Sequence, residues 1–302
     1  MPPESTTAPA PAPAREASLA ATARDLVALT KPRITLMVLL TAAGGMWLAP
    51  GSLSLGSVLV FLGALAATVG SANALNCWLE RDVDALMRRT ASRPLPSQRL
   101  APRPALAFSI VLGVVSVPLL AVAVNPLTGL LGAIALVSYV LVYTPMKQIS
   151  PAALLVGAVP GAMPPLMGWT AMTGRVDLPG LVLFGMLFIW QLPHFIAIAT
   201  FRKDEYARAG LKVLPWVRGD RVARVHAIAW AALLVPVSLA LVPLGVAGWG
   251  YAVVTGVMGA AYLVQASRRP AEGGEARWAK RLFLTSLVYL PVVIAVLMID
   301  AR

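Results

Sequence analysis

Nine apolar runs, each close to twenty residues long, dominate the chain, at about 34–49, 55–78, 104–123, 126–144, 152–171, 179–200, 226–245, 247–266 and 282–299. Crossing about 30 Å of hydrocarbon takes roughly 20 helical residues, and within lipid the backbone must satisfy its own hydrogen bonds. Runs of this length and number predict an all-α bundle of nine transmembrane helices. Composition closes the other routes. Only 13% of the 302 residues are charged and 58% are hydrophobic, whereas a soluble domain carries about 25% charged residues. Such a chain lacks the polar surface to enclose a soluble core. Cys77 is the only cysteine, so a disulfide scaffold is excluded too.

The formal net charge is +12. In a soluble protein that surplus would raise the question of nucleic acid. Here no nucleic-acid partner is expected, because the basic residues sort by side of the lipid bilayer. With the N-terminus inside, 21 of the 25 Lys and Arg fall on one side: near Lys31 and Arg33, in 81–103, at Lys147, in 202–224 and in 268–281. Arg175 alone falls on the other. A multi-pass membrane protein with a cytoplasmic N-terminus is therefore expected. Residues 1–26, rich in Pro, Ala, Ser and Thr, lack the apolar core of a signal peptide and read as a disordered cytoplasmic tail. Residues 27–302 then form a single transmembrane domain.

Two loops on the basic side also carry acids. In the first, Asn76, Glu80 and Asp84 follow one another at i, i+4 and i+8. Each step turns only about 40° on a helix, so a continuous helix puts all three on one face. Acids near membrane depth are costly and mark functional sites or paired groups. Two carboxylates and an amide oxygen are hard ligands that suit Mg²⁺, while Arg88, Arg89 and Arg93 offer donors to a polyanion. The plain alternative is a helix end laced with Glu/Arg pairs. Asp82 would point away from the other acids, toward an ion pair with a loop Arg. The second loop holds Arg202, Lys203, Asp204, Glu205 and Arg208, where an Asp204–Arg208 ion pair is the simpler reading. Taken together, the loops describe a metal-bridged polyphosphate site between helix ends on the cytoplasmic side.

Five stretches carry a family resemblance: 29–35, 74–84 with Arg89-Thr90 and 93–96, 143–147, 161–169 from Gly161 to Trp169, and 190–215 with Gln191-Leu192-Pro193-His194-Phe195. On these the chain resembles the UbiA superfamily of intramembrane prenyltransferases. The segments 161–169 and 191–195 resemble its heme-farnesylating branch. The resemblance implies an enzyme that joins C1 of farnesyl diphosphate to a vinyl group of heme b, with water adding a hydroxyl and diphosphate leaving. It implies Mg²⁺ held by Asn76, Glu80, Asp84 and Asp204. Lys31, Arg89, Arg93, Lys147 and Lys203 become the anion partners, and His194 a heme-facing residue. Arg outnumbers Lys 20 to 5 and Ala is abundant, which points to a bacterial inner membrane, and the resemblance implies a downstream heme A synthase or terminal oxidase. Two positions depart from the superfamily pattern: Glu80 stands where Asp is usual, and Arg208 where a second Asp is common. Two rivals stay open, a prenyltransferase acting on a quinone precursor or other aromatic acceptor, and a transporter of an anionic metabolite.

Overall fold

The computed structural model describes residues 18–301, so most of the expected tail lies outside the described residues. Residues 19–26 depart from that expectation by opening a helix, α1 (Leu19–Leu29), whose first turn is capped by Ser18 accepting from the Ala21 N–H at 3.3 Å. The rods that follow are α2 (Pro32–Leu48), α3 (Leu55–Leu79), α4 (Pro102–Ala123), α5 (Pro126–Met146), α6 (Ala153–Thr173), α7 (Leu178–Phe201), α8 (Asp220–Leu239), α9 (Trp249–Ser267) and α10 (Glu275–Ile299). Among the described residues the only bridge outside helices joins Ala247 to Ala301.

Helices α2 to α10 overlap the nine apolar runs, with α8 ending at Leu239 rather than near 245 and α10 starting at Glu275, yet they are not nine equivalent spans. Six of them (α3, α4, α5, α7, α8 and α10) are long and apolar enough to cross a membrane, and the pair α1–α2, bent by 47°, makes a seventh. Helices α6 and α9 fall short. Twelve of the 21 residues of α6 are buried, and it contains Pro160, Pro164 and Pro165. Buried positions of α9 include Tyr251, Thr255, Tyr262 and Gln265. Helix α6 thus faces protein over most of its length, whereas α9 buries these polar positions on one face and exposes Trp249, Val253, Val257 and Val264 on the other.

Two apolar cores fill the bundle, one drawn mainly from α7 to α10 and one from α2 to α6. Helix α6 serves both, giving Trp169 to the first and Met163, Leu166 and Met167 to the second. It packs against α2, α5 and α7. Gly168 lies against the Ala42 backbone and Gly45 against the Pro165 backbone, so a Cβ at either would overlap main chain. The α2–α6 crossing is thus closed to within backbone distance, as small residues permit. Between the cores lies a cavity.

Candidate active site

The cavity has a volume of about 430 Å³ and is lined from α2, α3, α5, α6 and α7 and from the loops at their basic ends. One end carries charge, from Lys31, Glu80, Asp84, Arg93 and Lys147. The rest is largely apolar, with Leu65, Val69, Leu136, Met163 and Met167.

The acidic motif is built across the end of α3. The helix breaks at Glu80, where φ is −94° and ψ is 6°, and resumes as a short turn over Arg81–Ala85. The hydrogen-bond spacing survives the break: the Glu80 N–H donates to the Asn76 carbonyl at 2.9 Å and the Asp84 N–H to the Glu80 carbonyl at 2.7 Å. Asn76, Glu80 and Asp84 therefore all line the cavity, as their spacing predicts. They are 1%, 8% and 2% exposed. Asp82 turns outward, its side chain 85% exposed and 3.7 Å from Arg81.

Carboxylates this buried require partners, and each motif residue has a cation from a different segment. Lys31 donates to Asn76 Oδ1 at 3.0 Å. Lys147 reaches Glu80 Oε1 at 2.8 Å, and Arg93 reaches Asp84 Oδ2 at 2.5 Å. The motif is also internally tied, with Asn76 Nδ2 donating to Glu80 Oε2 at 2.8 Å and to Thr144 Oγ1 at 3.2 Å. Lys31 occupies the left-handed region at φ 50° and ψ 65°, a conformation that costs about 1–2 kcal/mol for a residue with a Cβ. The Thr30 carbonyl beside it accepts from Asn73 Nδ2 at 3.3 Å and from Thr35 Oγ1 at 2.9 Å. Those bonds hold the bend that turns Lys31 into the site.

The wall facing the motif comes from α5. Its last turns, Ser138–Tyr143, widen into a π-helix ahead of Pro145, a distortion frequent at functional sites. Proline supplies no N–H to the preceding turn, and the Thr144 N–H bonds Tyr139 instead. Tyr139, Tyr143 and Lys147 then share the cavity wall, with the Lys147 Nζ 4.5 Å from the centre of the Tyr143 ring. Burial opposes the Lys147 ammonium, but Tyr143 and Glu80 outweigh it and raise its pKa above the ordinary lysine value. In the loop after α7, burial raises the Tyr206 phenol above its usual range.

Not every expected residue arrives. Arg89 lines the cavity with the residues above, but Lys203, Asp204 and His194 do not. Asp204 is exposed, and Lys203 pairs with Asp220 at 2.6 Å. The short helix Lys203–Arg208 that carries them turns Tyr206 to the cavity instead. The expected Asp204–Arg208 pair is replaced by Arg202 with Glu205 at 3.0 Å. His194 faces α10: its Nδ1 lies 2.7 Å from Ser286 Oγ, and its ring stacks with Trp190 and packs on Phe283. Among the described residues its contacts are thus one hydrogen bond and ring packing. Conversely, Lys212, Tyr139, Tyr206 and Gln191 line the cavity unforeseen. The i, i+4, i+8 spacing of Tyr139, Tyr143 and Lys147 was a usable signal, since it repeats that of the acidic motif. Lys212 had none, being one of many loop cations.

Comparison with known proteins bears on this geometry. The sequence profile described as the UbiA prenyltransferase family matches residues 38–287. A protein named protoheme IX farnesyltransferase from Anaeromyxobacter sp. is 52% identical over 298 residues, covering 98% of this chain and 100% of its own. One of the same name from Myxococcus xanthus is 49% identical, covering 95% and 98%. Among solved structures, a UbiA homolog from Archaeoglobus fulgidus bound to GPP and Mg²⁺ superposes with a TM-score of 0.67 at 18% identity, covering 90% of this chain and 99% of that one.

Proposed function

We propose, from the premise that this chain belongs to the UbiA prenyltransferase family, that it joins C1 of farnesyl diphosphate to a vinyl group of heme b. Water supplies a hydroxyl, diphosphate and a proton leave, and the product is heme O. Family membership rests on the profile match and on 52% identity across nearly the whole chain. The observation that carries the reading is a single cavity with a charged end and an apolar remainder, which matches a diphosphate head joined to a prenyl tail.

The donor set fits Mg²⁺. Asn76, Glu80 and Asp84 present an amide and two carboxylates to one cavity, and Mg²⁺ takes one or two carboxylates together with phosphate oxygens. Those three residues would hold it, and the bound ion would supply positive charge to the departing diphosphate. Lys31, Arg89, Arg93, Lys147 and Lys212 stand around the same end as donors to that leaving group. Tyr139 and Tyr143 contribute ring faces beside the place where an allylic cation develops. The largely apolar walls keep bulk water away from the allylic cation.

On this reading the charged end opens to the cytoplasm of a bacterium, the chain resides in the inner membrane, and its product passes to a heme A synthase or terminal oxidase. The test is direct. Membranes containing the full chain, given heme b, farnesyl diphosphate and Mg²⁺, should yield a heme of farnesylated and hydroxylated mass, and chelation should abolish it. Consumption of farnesyl diphosphate without any farnesylated heme would reject the acceptor.

A further inference from the structure

Gln191 lies on α7 at the cavity wall and is 5% exposed. Its own bonding sets the orientation of its amide: Nε2 donates to the Ala158 carbonyl at 2.8 Å, so Oε1 is the free end. Among the described residues no donor meets Oε1, and on the cavity wall it is open to a donor from inside the cavity. The backbone makes deliberate room for it, since a Cβ on Gly161 would overlap Oε1. Depth is set by the same helix. Gly157, four residues nearer the charged end of α6, packs on the Tyr143 ring beneath Lys147. One turn rises about 5.4 Å, so Gln191 Oε1 lies about a turn deeper along α6 than the Tyr143 ring. Pro164 and Pro165 lack N–H groups, so the carbonyls of Pro160 and Gly161, two residues of the cavity wall, lose their helical donors.

We infer that Gln191 positions the water that ends the reaction, an inference that rests on the farnesyl transfer proposed above. In the first step the C1–O bond of farnesyl diphosphate breaks, its electron pair leaving with diphosphate. The vinyl π pair closes the new bond to C1 and leaves a positive charge on the vinyl carbon next to the ring. A water oxygen then donates a lone pair to that carbon, and the released proton goes to the departing diphosphate. Gln191 Oε1 accepts a hydrogen bond from this water and turns its lone pair toward the cation, with the Pro160 and Gly161 carbonyls as further acceptors. Without a held water, the cation instead loses a proton from the adjacent carbon to diphosphate and becomes an alkene.

The test reads products by mass in the full chain. Gln191→Leu should still bind farnesyl diphosphate and form the carbon–carbon bond. Its ratio of dehydrated to hydroxylated product should rise about tenfold, the size of one lost hydrogen bond of ordinary strength. Gly161→Ala, which keeps the amide but displaces it, should move the ratio the same way and decides the matter if Gln191→Leu does not accumulate in membranes. A wild-type product ratio in the variants overturns the inference. So does loss of both products with farnesyl diphosphate binding intact, because this water acts after the carbon–carbon bond forms. A wild-type chain that yields no farnesylated heme would instead reject the proposed reaction itself.

Discussion

Lys147 Nζ stands 2.8 Å from Oε1 and 3.1 Å from Oε2 of Glu80, so an ammonium holds the carboxylate that the proposed chemistry assigns to Mg²⁺. Arg93 holds Asp84 in the same manner, while Lys31 donates a hydrogen bond to the neutral amide oxygen of Asn76. The pairing neutralises buried acids that would otherwise destabilise the fold. It also stores three cations within reach of an incoming diphosphate. Removing a cation thus has two effects, one on stability and one on substrate binding, and these separate in experiment.

Lys147→Met should weaken farnesyl diphosphate binding and destabilise the protein. Loss of one partner from a fully buried pair costs about 3–5 kcal/mol. The Lys147 and Glu80 side chains retain 21% and 11% exposure, so a cost of about 1–2 kcal/mol is expected after discounting for solvent. Equilibrium binding of the diphosphate and thermal unfolding in detergent measure the two effects, and unchanged binding would remove Lys147 from the site.

Asp84→Ala should reduce turnover by at least about 10²-fold, comparable to loss of one preorganised electrostatic group, while the protein still inserts. Glu80→Asp should stay active, since it retains a carboxylate one methylene shorter. Mg²⁺ titrations of activity check both, and full Mg²⁺-dependent activity in Asp84→Ala would exclude the metal assignment.

Asp204→Asn should leave the Mg²⁺ dependence near that of wild type, because Asp204 is exposed and stands outside the cavity lining. Lys212→Ala should raise KM for farnesyl diphosphate with a smaller effect on kcat, because Lys212 lines that cavity. Steady-state kinetics on the two variants distinguish the arrangement seen here from one in which Asp204 is a metal ligand.

His194→Ala should act on stability rather than on chemistry. It removes the bond to Ser286, the stacking with Trp190 and the packing on Phe283, a loss of about 2 kcal/mol. Thermal unfolding should report that loss while turnover per folded molecule persists. Unchanged stability combined with lost heme affinity would return His194 to the heme site.

Sidedness is testable by labelling. Ser92 and Val176 are both exposed, at opposite ends of the bundle by the distribution of basic residues. Ser92→Cys should react from the cytoplasm and Val176→Cys from the other side, with buried Cys77 silent. Labelling of both from one side would overturn the expected topology.

How far the chain could be read in advance divides along a physical line. Properties local to one segment were legible. Apolar runs of span length dictate helices because lipid leaves no other partner for the backbone. The spacing of Asn76, Glu80 and Asp84 dictates one face because helical geometry does, even across the break at Glu80. The flanking basic loops carry an expectation of sidedness that labelling tests. Properties that depend on a neighbouring helix were not legible. Whether Asp204 or Tyr206 meets the cavity depends on a turn after Arg202, where φ falls to −115°. Whether His194 or Gln191 faces inward depends on where α6 and α10 press against α7. The Gly157 and Gly161 pair shows the same division: its spacing suggests a helix crossing, yet it seats Tyr143 and Gln191, and the close crossing lies at Gly45 and Gly168. The sequence by itself therefore determined the elements, the charged motif and the family. Only tertiary packing decided which polar groups share the cavity, because a side chain's partner across a helix interface depends on the rotation and depth of two rods that the local pattern of either leaves open.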